Sequence, residues 1–222
     1  MDAVVEAIIE NAERLLSDAI LLADHGSYRT AESIAVLSME EAGKACLVHW
    51  KRSGLLKQPI EPFLRAHIDK QRILNSYRAV KAILSVEGVE LKYDPLPTMV
   101  YTGEDKRIRE TLYSVLQDTI NGHVVSVESG ITELFKQGGF YTDIDDKLDI
   151  AMPVLEFSKT GFEKLLPLAE EAIEMAKADD KIHYLLSVIY PAKLFVQVPN
   201  GERKRLREIL SKSAKPDRQT ND

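Results

Sequence analysis

Apolar residues recur along most of this chain at helical spacing, in segments separated by glycine- and proline-bearing links. In the first segment, Val4, Ile8, Ala12, Leu15, Ala19 and Leu22 fall on one stripe, which predicts a helix from Val4 to His25. Gly26 suits its C-terminal turn and Ser27 suits the start of the next helix, so the first two helices should form an antiparallel hairpin. The second segment, Ser27 to Arg52, is apolar almost all round but carries Glu41 and Lys44, with Gly43 between them. A helix that is apolar on every side belongs at the centre of a core. A charge on such a helix needs a partner, because an isolated buried charge is costly.

Two prolines, Pro59 and Pro62, mark a link and a new helix start, and the third helix is expected to continue to about Val86. Its stripe is Phe63, His67, Lys70, Leu74, Tyr77 and Leu84, so ionisable groups interrupt this seam as well. Residues 87–103 break the pattern and read as an ordered loop with a short extended piece at Val89–Tyr93. A fourth helix is expected from Glu104 or Lys106 to about Phe135. A second irregular region, residues 137–157, carries Asp143, Asp145, Asp146 and Asp149. The calcium-loop pattern fails there, with no glycine at the sixth position and no glutamate at the twelfth, so this is a solvated acidic loop. Thr160 and Glu163 have capping-box spacing and open a helix from about Gly161 to Ala178, with a shorter one from Asp179 to Tyr190.

The predicted fold class is all-α: an antiparallel bundle of long helices with a smaller C-terminal helical part. Residues 1–190 form the bundle, 191–212 a linker and a basic C-terminal helix, and 213–222 a polar, disordered tail.

Composition changes this picture little. The 222 residues are 45% hydrophobic and 29% charged, as in an ordinary globular domain. No apolar run is long enough to span a bilayer, and the acidic, amphipathic start is unlike a signal peptide; no membrane association is expected. One cysteine, Cys46, rules out an intrachain disulfide and fits a cytoplasmic setting. Net charge is −6, and up to residue 200 there are 22 basic against 31 acidic residues, which argues against a broad nucleic-acid platform but not against a small RNA cleft.

Candidate chemistry comes from setting the second and third helices side by side. If they pack antiparallel about the link near residue 57, Glu41 lies level with Lys70 and Lys44 with His67. Each pair is spaced to share one face of its own helix, and Gly43 admits a close neighbour there. One reading is a buried ion-pair network that fixes helix register. The other is a site in which His67 is the acid or base, Lys44 and Lys70 anchor phosphate, and Glu41 orients them. Glu40 points about 100 degrees away from Glu41 and is a candidate for a partner chain or for Lys44. No zinc spacing, phosphate-binding glycine loop, dinucleotide fingerprint or nucleophile elbow occurs, so no metal and no cofactor is expected.

The stretch Ala35 to Ala45, AVLSMEEAGKA, resembles the LAxLxxEExGKA signature of the abortive infection AbiV family, and His67-Ile68-Asp69-Lys70 resembles the HxxK element that follows it. The resemblance spans roughly residues 5–190. AbiV proteins are grouped with the HEPN superfamily of helical bundles, often dimers and often RNases in defence systems. The resemblance therefore implies phage defence, a homodimer, and action on RNA or the translation machinery. It carries Glu40, Glu41, Lys44, His67 and Lys70 over as site residues. The superfamily's Arg–x4–6–His motif is absent: the nearest likeness is Gln117 to His123, with glutamine in the arginine position, which leaves His123 as a binding candidate. The alternatives are a non-catalytic bundle that dimerises and binds a phage or host protein, and, more distantly, a tetratricopeptide-like adaptor.

Overall fold

A computed structural model describes residues 2–85, 89–93, 97–101, 136 and 157–189. The fourth helix, the acidic loop, His123, the basic C-terminal helix and the tail all lie outside these residues. Six helices are described: α1 (Ala3–Asp24), α2 (Tyr28–Arg52), α3 (Glu61–Arg65), α4 (His67–Leu84), α5 (Lys159–Ala176) and α6 (Asp180–Ile189). The class is all-α, with one added two-stranded hairpin. The extended piece expected at Val89–Tyr93 is strand β1, and it pairs antiparallel with β2 (Pro97–Tyr101), Val89 opposite Tyr101. Pro97 sits at the first position of its strand, where a missing N–H is tolerated.

The α1–α2 hairpin turns at Gly26, whose φ of 77° is the left-handed conformation that glycine adopts without a Cβ penalty. Contacts between Asp2 and Arg52, Asn11 and Glu41, and Ala12 and Ser38 run in opposite order along the two helices, which makes them antiparallel. The buried stripe of α1 is Val5, Ile9, Ala12, Leu16, Ala19 and Ala23, one residue round from the expected stripe at most positions, and Val4 is exposed. Three alanines in this stripe let α2 approach closely enough for the Ser38 hydroxyl to donate to the Ala12 carbonyl at 2.7 Å.

As expected of a helix apolar on all sides, α2 is the hub: it packs against α1, α3, α4, α5 and α6. Its buried residues include Ala35, Met39, Ala42, Ala45, Cys46, Leu47 and Trp50. Burial pushes the Cys46 thiol up to about 12, so it is inert packing rather than a nucleophile.

The long third helix is in fact two. Ala66, with ψ 105°, breaks it into α3 and α4. No proline or glycine marks this point, so tertiary contacts decide it: the Leu64 carbonyl, which a continuous helix would have engaged, accepts from Lys70 Nζ at 3.1 Å. One turn further on, α4 crosses α2 at Gly43. A Cβ there would lie 2.4 Å from the Lys70 carbonyl oxygen.

Helix α5 starts two residues before the expected point. Its cap is Ser158, whose hydroxyl accepts from the Gly161 N–H at 3.1 Å, in place of the Thr160–Glu163 box. It packs along α2 and is tied to α4 by Arg78–Glu171 (3.1 Å) and Lys81–Glu174 (2.9 Å). At the far end of α2, the Trp50 indole N–H donates to His183 Nδ1 of α6 at 3.2 Å. Burial, then the neighbouring His49, push His183 down to about 4, which keeps it neutral and able to accept from Trp50.

Candidate functional site

The heights of α2 and α4 agree with the antiparallel expectation, but the residue that faces α4 is Glu40. Glu40 is 3% exposed, and its carboxylate is divided between two sets of partners. Oε2 lies 2.7 Å from His67 Nδ1 and 3.9 Å from Lys70 Nζ. Oε1 accepts from Gln71 Nε2 and from Lys136 Nζ, each at 3.2 Å. A carboxylate oxygen can only accept from the imidazole, so Nδ1 of His67 carries the hydrogen. Nε2 is then the lone-pair nitrogen of the neutral ring. The His67 side chain is 47% exposed while Glu40 is sealed beneath it. The arrangement is a solvent-facing imidazole seated on a buried carboxylate.

Glu41 turns the other way. It accepts from Asn11 of α1 at 3.2 Å and from its helix neighbour Lys44 at 2.8 Å. The expected pairings of Glu41 with Lys70 and of Lys44 with His67 are therefore replaced. The 100-degree step between consecutive helical residues puts Glu40 against α4 and Glu41 against α1. Lys44 keeps 34% of its side chain exposed. Lys70, by contrast, is buried. Desolvation lowers its pKa from the usual lysine value, against the opposing pull of Glu40, and the neighbouring charges of Lys136, Glu41 and Lys44 also act on it.

Two residues of this site were not found from the sequence. Gln71 sits between Lys70 and Arg72 in a polar stretch that gives no reason to single it out, but it falls four residues after His67, on the same face of α4. Lys136 is buried and helical, 96 residues from Glu40, and no local pattern points to it. His123 lies outside the described residues. Among the described residues, no group of three or more His, Cys, Asp or Glu is placed to hold a metal ion, and no helix is long and apolar enough to cross a membrane.

No curated protein and no solved structure matches the chain. The family model of AbiV HEPN proteins matches residues 1–174. That span holds the whole α1–α2–α4 core, the EExGK stretch and the His67 element, and it is most of the 222 residues: the chain belongs to the AbiV abortive-infection family of the HEPN superfamily.

Proposed function

We propose that this member of a phage-defence family acts on RNA, in the cytoplasm and as a homodimer, with His67 as the acid–base residue. The observation that carries the reading is the 2.7 Å contact of half-exposed His67 with sealed Glu40. A neutral imidazole held by Nδ1 presents Nε2 to solvent as a proton acceptor. An RNA 2′-hydroxyl is a suitable donor. Its oxygen would attack the adjacent phosphorus, the bond from phosphorus to the 5′-oxygen would break, and the imidazolium would return its proton to that leaving oxygen. With no Arg–x4–6–His motif in the chain, offsetting charge at phosphorus falls to lysine. Lys44, partly exposed and bound by Glu41, suits that role. Buried Lys70, bound to the Leu64 carbonyl, serves the cluster from beneath.

A specific observation favours a second reading. Glu40 is enclosed by His67, Lys70, Gln71 and Lys136, as in a lock that fixes helix register in a non-catalytic protein that binds a phage or host protein. Purified protein assayed on a broad RNA panel beside His67→Ala and Lys44→Ala separates the two. The RNA reading expects wild-type cleavage that falls by about 10²–10⁴-fold in His67→Ala at equal folding. Equal cleavage by wild type and His67→Ala would refute the assignment, and no cleavage by the wild type would favour the binding protein. A plaque assay with the same variants tests the defence role in cells.

A further inference from the structure

The two oxygens of Glu40 do different jobs. Oε2 holds the exposed ring of His67. Oε1 points into the protein and is held by Gln71 of α4 and by Lys136. Gln71 and Glu40 come from helices that the bundle already fixes. Lys136 comes from far along the chain and brings a full charge to a buried position. A charge-assisted hydrogen bond of this kind is stronger and more directional than a neutral one, and in a buried setting it fixes the plane of the carboxylate. The carboxylate plane in turn decides whether Oε2 lies in line with His67 Nδ1–H.

We infer that Lys136 is a positioning residue of this site: it pins Oε1 of Glu40, so that Oε2 holds His67 as a single tautomer with Nε2 turned to solvent. This rests on the reading of His67 as the acid–base residue only for its consequence in catalysis; the tautomer itself can be measured without substrate. Lys136 is buried, and its ammonium meets the Glu40 oxygen that faces away from His67, so it acts on His67 through Glu40. It also makes the state of His67 depend on the seating of a residue that the α1–α2–α4 core does not itself contain.

The test is nitrogen-detected NMR of the histidine side chains in the full chain, in wild type, Lys136→Met and Lys136→Arg, with His67→Ala to assign the signal. Lys136→Met keeps length and apolar bulk but removes the donor and the charge. Lys136→Arg keeps both. The expected result is one Nδ1–H tautomer at His67 in wild type and in Lys136→Arg. In Lys136→Met both ring nitrogens should move toward the values of an exchanging mixture. If RNA is cleaved, kcat should fall about tenfold in Lys136→Met with KM unchanged, and Lys136→Arg should restore most of it.

An unchanged tautomer in a folded Lys136→Met protein would overturn the inference, as would a wild-type His67 with hydrogen on Nε2. A loss confined to KM would overturn it too, because it would mean that Lys136 meets substrate directly. Should Lys136→Met not fold, Lys136→Leu, which likewise lacks the donor and the charge, carries the same readout. Absence of RNA cleavage would count against the RNA reading while leaving the tautomer result to decide the role of Lys136.

Discussion

Glu32 and Glu40 lie two turns apart on α2 and are equally sealed, each 3% exposed. Their surroundings are opposite. Glu40 is met by two lysines, a glutamine and a histidine. Glu32 accepts from a backbone group, the Ser158 N–H at the entrance to α5, at 3.2 Å, and its Oε1 occupies the space where a Cβ on Gly161 would stand. Desolvation dominates there, and the Glu32 carboxyl is pushed up to about 7, with the Ser158 hydrogen bond pulling back only in part. Burial alone therefore says little about a carboxylate. What decides its chemistry is whether the surrounding elements bring cations to it. At Glu40 two separate segments do so, α4 with Lys70 and the one that carries Lys136, which is why the exposed imidazole of His67 finds a firm seat there.

The same isosteric change should then act with opposite sign at the two positions. Glu40→Gln leaves Lys70 and Lys136 buried without a counter-charge and is expected to cost about 3–5 kcal/mol in urea or thermal unfolding. Glu32→Gln removes a charge that burial disfavours and should hold or raise stability above pH 7. A large loss from Glu32→Gln, or none from Glu40→Gln, would break the contrast.

The crossing that brings Glu40 to α4 can be tested separately. Gly43→Ala drives a methyl against the backbone carbonyl of Lys70, which cannot swing aside as a side chain would. A loss of about 1–3 kcal/mol is expected, with disturbed His67 signals. Full stability in this variant would mean that the two helices are not held at this distance.

A comparable but gradual effect lies in the pH dependence of stability. Glu32 has a folded value of about 7 against 4.5 for the free side chain, so the folded state holds the extra proton between these limits. Its contribution is fully present below pH 4.5 and is lost as pH rises to about 7, by roughly 1–3 kcal/mol. His183 runs the other way: with a folded value of about 4 against 6.5, it contributes stability above pH 6.5 that is lost as pH falls toward 4. The two slopes oppose each other in wild type. Subtracting the unfolding curve of Glu32→Gln from that of wild type across pH 4.5–7.5 should isolate the falling one. A flat difference would show that Glu32 is solvated in the native state.

By itself, the sequence determined the helical class, the α1–α2 hairpin, the central place of α2 and the height at which α4 meets it. Those follow from local signals: apolar periodicity, a glycine turn, paired prolines, and a link short enough to fix the register. The EExGK and HxxK stretches lie where α2 and α4 meet. Tertiary structure alone decided which carboxylate meets α4. Glu40 and Glu41 are neighbours in sequence and differ only by one helical step, and that step, read with the α1 stripe one residue off, exchanges the face toward α4 for the face toward α1. It also decided the break at Ala66, where the Lys70 ammonium meets the freed Leu64 carbonyl, and the arrival of Lys136 at Glu40. The physical reason is common to all three. Periodicity fixes which residues of one helix lie together, but the rotation of that helix against its neighbours, and what distant chain fills the space left, are set only by how the whole core packs.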